Sequence, residues 1–167
     1  MNIQELLNAN FNSVRQHWLK SIIDTYPPDS RKFFASKKDN FQNPVGAAAS
    51  RLVDSSLRAL IDDGAEQDYY NILEEFIKMR AVQEFSPSDA VGFVLFLKNS
   101  IRETLNDEIT SLNLSEELIE FEKRIDDILL TAFDIYTKSK EKMYEIRVDE
   151  MRRRSFTAFR MIGSNSE

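Results

Sequence analysis

The sequence predicts an all-α fold, a bundle of about six helices closed by a long C-terminal helix. Three observations predict it. Apolar residues recur at three- and four-residue spacing almost from end to end, and no period-two segment competes with them. The 167 residues include only four Gly and four Pro, too few to punctuate a chain of many short strands. Residues 115–162 contain neither, so nothing local stops a helix there.

The first helix is expected from about Ile3 to Asp24, with Leu6, Leu7, Phe11, Val14, Trp18 and Ile22 as its apolar stripe. Tyr26-Pro27-Pro28 ends it. A short second helix, capped by Asp29 or Ser30, runs through Phe33-Phe34 to Lys38. Asn43-Pro44 opens the third, with Asn as N-cap and Pro at the first helical position. Val45, Ala49, Leu52, Val53, Leu57, Leu60 and Ile61 are its buried face, and Gly64 closes it. The fourth spans about Glu66 to Gln83, with Tyr69, Ile72, Leu73, Phe76 and Ile77 inside. Ser86, Pro87 and Asp89 then start a fifth helix over about 87–109, as cap, first residue and first-turn acid. Its turn Phe93 to Leu97 is apolar all round, which predicts a central helix covered on every side, with Phe93 and Phe96 both buried. Gly92 there predicts another helix backbone close by, since Gly in a helix interior costs about 1 kcal/mol relative to Ala. Ser115 caps the last helix, whose wide apolar face runs Leu118, Phe121, Ile125, Ile128, Leu129, Ala132, Phe133, Ile135 and Tyr136. After Lys138 the pattern narrows. Tyr144, Val148, Met151, Ser155, Ala158 and Ile162 follow a 4-3-4-3-4 spacing, a short coiled-coil seam. Two segments are therefore expected: a body over 1–137 and a helical extension over 138–167.

Charge divides the same way. Residues 1–137 hold 14 Lys+Arg against 23 Asp+Glu, net −9; residues 138–167 hold 8 against 5, net +3. An acidic body argues against nucleic-acid or anionic-membrane binding, and Arg152 to Arg154 read as a solvated helix face. The longest apolar run, Ala90 to Leu97, is far short of a membrane span. No secretion signal is visible, so the expected location is cytoplasmic. Twelve Phe and no Cys mean a fold held by packing, without thiolate chemistry or Cys-ligated metal.

Asn43-Pro44-Val45-Gly46, the stretch RAVQEFSPSDAVGF at 80–93 and Leu97-Lys98, with Trp18 and Tyr26-Pro27 upstream, together resemble the N-terminal domain family of RsbRD-type co-antagonists of the RsbT kinase. The resemblance covers roughly residues 10 to 135, and its most specific part is R-A-V-Q-x-F-S-P-S. It implies a non-enzymatic sensory or regulatory domain of bacterial stress signalling. It implies a globin-like helical bundle without haem, homodimeric, with a long last helix leading toward a STAS output domain. No STAS segment or kinase follows in this sequence, so the domain is expected either to act alone or to use a signalling partner, a STAS domain or kinase, on a separate chain. The motif residues Asn43, Pro44, Gly46, Arg80, Gln83, Phe85, Ser86 and Pro87 are its candidate site. Read from the residues, Arg80 bonds helix-end carbonyls, Gln83 fills a corner and Ser86 caps; the alternative is the rim of a ligand pocket or docking surface. Tyr144, Val148, Met151 and Ala158 are the candidate dimer and transmission helix.

Other chemistry has little to build on. His17 is the single histidine. Its HWLKS surround is similar to that of histidine phosphotransfer domains, which makes phosphotransfer through His17 the alternative function; a plain protein-binding adaptor is another. Trp18, where a small residue is expected, argues against phosphotransfer. No cofactor is expected. A haem ligand should come from the helix before the buried one, and residues 66–83 hold no His or Cys. A carboxylate metal site in a bundle needs inward Glu-x-x-His pairs, which this sequence lacks.

Overall fold

The computed structural model describes residues 1–36, 42–62 and 66–164. Among these there are eight helices and no strand: α1 (Ile3–Ala9), α2 (Phe11–Ile23), α3 (Pro28–Phe34), α4 (Pro44–Ile61), α5 (Glu66–Val82), α6 (Pro87–Val91), α7 (Phe93–Ser111) and α8 (Ser115–Ser164). The expected extension of the short helix to Lys38 and its successor's closure by Gly64 lie outside the described residues.

Six expected helices become eight because two of them break. The first breaks at Asn10, whose side-chain amide donates to the Leu6 carbonyl at 3.0 Å. Asn competes in this way with the backbone's own ladder, and here it separates α1 from α2. α1 is then set by its own capping box, Asn2 with Glu5, and by Glu117 of α8, which accepts from the Ile3 amide at 2.9 Å.

The second break is at Gly92, between α6 and α7. The sequence reading of this glycine needs correction. A Cβ there would meet no other helix; it would lie 2.6 Å from the carbonyl oxygen of Ser88, one turn back. The glycine is required by a tightened turn within its own segment. All-round burial of Phe93 to Leu97 also needs correction. Phe93, Val94 and Leu97 are buried, whereas Leu95 is exposed and Phe96 only partly covered. The neighbours of α7 are chiefly α2 and α8, which leave a side of it open.

The core lies between α2, α4, α5, α7 and the first half of α8. Trp18 is fully buried and its indole donates to the Phe93 carbonyl at 2.8 Å, which answers the ring's one polar atom. Phe76 meets Phe93 edge to face at 5.2 Å. α7 turns into α8 through Asn113 in the left-handed region (φ 55°), with the Leu114 amide returning to the Ile109 carbonyl at 2.9 Å. Asn tolerates that conformation well. Two ion pairs fasten the hairpin: Arg102 with both carboxylate oxygens of Glu122, and Lys98 with Asp126.

α8 is 50 residues long and runs through residue 138 without a break. Its first half is packed as expected, except that Phe133 is exposed. Beyond Met143 every described side chain is exposed through Arg160. The helix thus leaves the body and projects about 30 Å at 1.5 Å per residue. Among the described residues no helix is long and apolar enough to cross a membrane.

Gly92 gives a test in which two rules conflict. Helix propensity predicts that Gly92→Ala stabilises by up to about 1 kcal/mol. The clash with Ser88 predicts a loss of about 1 kcal/mol or more. Urea unfolding of Gly92→Ala should show a lowered midpoint; a raised one means that the turn relaxes freely.

Candidate functional site

Arg80, near the end of α5, is completely buried. Its guanidinium sits 4.6 to 5.3 Å from the centroids of four aromatic rings: Phe85, Phe76, Tyr26 and Phe93. It donates to the Asp89 carbonyl and to the Thr25 hydroxyl, each at 2.8 Å. Its Nε is buried without a partner. Burial holds its pKa below the ordinary arginine value, with Tyr26 and Asp89 acting the other way. The charge is thus compensated by ring faces and two neutral oxygens, with no carboxylate in direct contact among the described residues. Desolvation also raises the Tyr26 pKa, so that phenol stays protonated and can donate to Gln83 Oε1, 3.3 Å away.

The corner around this cation is built from the remaining motif residues. Ser86 caps α6, accepting from the Asp89 amide, while the Asp89 carboxylate accepts from the Ser86 hydroxyl. Pro87 is the first residue of α6. α5 ends in a Schellman arrangement: the Phe85 amide returns to the Arg80 carbonyl at 3.3 Å and the Glu84 amide to the Ala81 carbonyl at 3.3 Å. That puts Glu84, not a glycine, in the left-handed region (φ 62°), at a cost of about 1–2 kcal/mol.

Asn43 and Gly46 form a second clamp. The Asn43 amide donates to the carbonyls of Phe33, Phe34 and Ser36, while its oxygen accepts from the Gly46 amide. One buried side chain thereby ties the end of α3 to the start of α4. Gly46 has to be a glycine, since a Cβ there would run into the Asn43 amide and the Phe34 carbonyl. Pro44 begins α4 as expected. The two clamps meet: the Phe34 ring lies edge-on to Tyr26 at 4.9 Å, and Tyr26 lies edge-on to Phe85 at 5.3 Å. All eight motif residues therefore belong to one connected knot. Gly46 and Phe34 also line a groove of about 770 Å³ between α2, α3 and α4.

The knot holds α8. The Tyr136 hydroxyl donates to the Phe85 carbonyl at 2.6 Å, Lys140 Nζ donates to the Ala81 carbonyl at 3.1 Å, and Arg147 lies 3.9 Å from the Glu84 carboxylate. Burial, with Tyr144 nearby, raises the Tyr136 pKa, so its hydroxyl remains a donor. Tyr144, Val148, Met151 and Ala158 follow farther along α8, all exposed. The cage partners Thr25, Phe76 and Phe93 and the α8 contacts Tyr136, Lys140 and Arg147 were not singled out as site residues from the sequence. Tyr26-Pro27 belongs to the family-like stretch, and the aromatic residues on either side of a helix-end Arg were the available signal.

His17 is engaged on both ring nitrogens. Nδ1 lies 3.0 Å from Ser100 Oγ and Nε2 lies 3.0 Å from Glu103, both on α7. A phosphoryl acceptor would have to give up one of these partners.

Residues 12–151 match the family described as the RsbT co-antagonist protein rsbRD N-terminal domain. The chain belongs to that family, a family of regulatory signalling domains. It is also 27% identical over 104 residues to an uncharacterized protein of Archaeoglobus fulgidus, covering 62% of this chain and 64% of that one, so it spans less than two thirds of that relative's length. No solved structure matches.

Arg80→Lys tests the cage. An ammonium cannot donate to two oxygens while stacking flat against the surrounding rings. The substitution should lower stability by about 2–4 kcal/mol, the scale of lost charged hydrogen bonds and stacking in a buried site. Chemical denaturation showing a loss below about 0.5 kcal/mol, within the range of ordinary surface substitutions, would refute the cage as a structural constraint.

Proposed function

We propose that this protein is a non-enzymatic regulatory domain of stress signalling that acts as a homodimer and passes a change in its body into α8. The observation that carries the reading is the attachment of α8. The helix is gripped at Tyr136, Lys140 and Arg147 by the motif corner, and it then continues bare, with an apolar stripe. An isolated helix gains little from such a stripe; two helices that cover each other's stripes do gain.

In this reading the body, over 1–137, is a globin-like input unit that needs no haem, and the motif knot is its hinge toward α8. A ligand or partner that shifts the corner shifts α8 with it, because the helix accepts its position from carbonyls of that corner. The groove beside Gly46 is a route by which a ligand could reach the knot. The output partner is a STAS-domain or kinase protein. Family membership supports the signalling role, and the acidic body and the engaged His17 favour this reading over nucleic-acid binding and over phosphotransfer.

Two variants test it. A chain truncated after Thr137 should stay folded but dimerise more weakly, measured by light scattering over a dilution series. Val148→Asp combined with Met151→Asp should weaken the dimer similarly, by placing charge in the stripe. If both variants dimerise as tightly as the intact chain, α8 is not an assembly element and its bare end is a docking helix for another protein.

A further inference from the structure

The exposed stripe of α8 does not begin at the extension. Counted at 100° per residue, Leu130, Phe133 and Thr137 lie on the same face as Tyr144, Val148, Met151 and Ser155. Leu130 is 64% exposed and Phe133 49%, although both lie within the body, and Met151 on the extension is 66% exposed. The same face is therefore exposed and largely apolar on both the packed and the bare half of α8, interrupted at the turn that carries Lys140 and Glu141. From residue 126 to residue 137 its one charged member is Asp126, paired with Lys98.

The two halves of this helix carry opposite charge. Residues 115–137 hold 2 Lys+Arg against 7 Asp+Glu, net −5; residues 138–164 hold 8 against 4, net +4. Resting on the dimer reading above, we propose that two copies pair their α8 helices antiparallel, so that the basic extension of each lies along the acidic, body-bound half of its partner's α8. The stripe itself sets the register. With Thr137 opposite Tyr144, Phe133 falls opposite Val148 and Leu130 opposite Met151. One layer further, Ser155, the polar residue of the extension seam, falls opposite Asp126. At Phe133–Val148 and Leu130–Met151 apolar meets apolar, at Asp126–Ser155 polar meets polar, and at the centre Lys140 falls opposite the partner's Glu141; two-fold symmetry repeats each pair, and only beyond Ser155 does the match end, with Ala158 opposite Lys123. Arg152 to Arg154 come level with residues 127–129, beside the carboxylates of Asp126 and Asp127.

A parallel pairing would also align the apolar positions, so charge decides between the two. It would place +4 beside +4 and −5 beside −5 at helix separations of about 8–10 Å. That spacing is close to the screening length at physiological salt, about 8 Å, so repulsion is only partly suppressed. The antiparallel pairing turns both terms into attraction. It also gives each extension a place on the other body, so a change at one motif corner is felt on the partner.

The protein has no cysteine, which makes cross-linking specific. Leu130→Cys and Met151→Cys are prepared as separate chains and oxidised alone and as a mixture, with Phe133→Cys and Val148→Cys as a second set in case one of the first fails to fold. In the antiparallel dimer the mixture gives a disulfide-linked heterodimer. Met151→Cys alone gives none, because its two sulfurs lie about 30 Å apart along the helices. Self-linking of Met151→Cys without mixed linking overturns the proposal in favour of parallel pairing. A dimer by light scattering with no cross-link in either set places the interface elsewhere, overturning this proposal while leaving the regulatory dimer intact. A monomer throughout overturns both. Salt gives an independent reading: raising it from low to molar concentration should weaken an antiparallel dimer, and a dimer tightened by salt contradicts the pairing.

Discussion

A guanidinium shut away from water, with no carboxylate against it among the described residues, is the constraint on which the arrangement of these helices depends. Removing such a charge from water costs several kcal/mol unless polar atoms and polarisable surface replace the lost hydration. For Arg80 the replacement comes from four rings and two oxygens contributed by the turn after α2, by α5, by the corner after α5, by α6 and by α7. None of these segments can move far alone without exposing the cation to an apolar wall or leaving a donor unpaired. The aromatic contacts carry the constraint onward from Tyr26 to Phe34, where Asn43 ties α3 to α4.

The same corner supplies the acceptors that position α8. Carbonyls at a helix end are left without intrahelical partners, and here Lys140 of α8 helps to answer that of Ala81, while Tyr136 takes the Phe85 carbonyl in the turn that follows. A corner made for a buried cation thereby becomes the seat of the longest helix. Glu84 fits this picture. It holds an unfavourable backbone conformation at the corner while its carboxylate faces Arg147 on α8. A glycine would suit the turn better but would leave that cation unanswered.

Most helix-start signals in the sequence matched the structure; the exception is the short helix, which begins at Pro28 with no side-chain cap, so that Asp29 and Ser30 lie inside α3 instead of capping it. Ser86, Pro87, Asp89, Asn43 and Pro44 all stand where helix-start chemistry puts them, and the apolar stripes of α4 and α8 are largely buried. What was not legible depended on distance along the chain or on competition. Asn10 and Gly92 break expected helices because a side-chain hydrogen bond and a tightened turn outweigh an unbroken apolar pattern. Phe96 and Leu95 read as core because their segment is uniformly apolar, yet burial depends on which helices arrive beside it. The Arg80 cage joins residues 25, 26, 76, 85, 89 and 93, a set that no single window of sequence brings together. The exposure of Phe133 was hidden for the opposite reason: it belongs to a broad apolar stretch from which periodicity alone could not separate outer members from inner ones, whereas Leu130 already stood outside the expected buried face.

The central claim is that the corner at 80–89 determines the state of α8 where it leaves the body. Amide hydrogen exchange along α8, compared between the wild-type protein and Arg80→Lys under conditions where both are folded, addresses it directly. The account predicts faster exchange over 136–147, together with the corner itself, and much less change over 118–128, where α8 is held by the core. Loosening confined to the corner, with exchange over 136–147 unchanged, would contradict it.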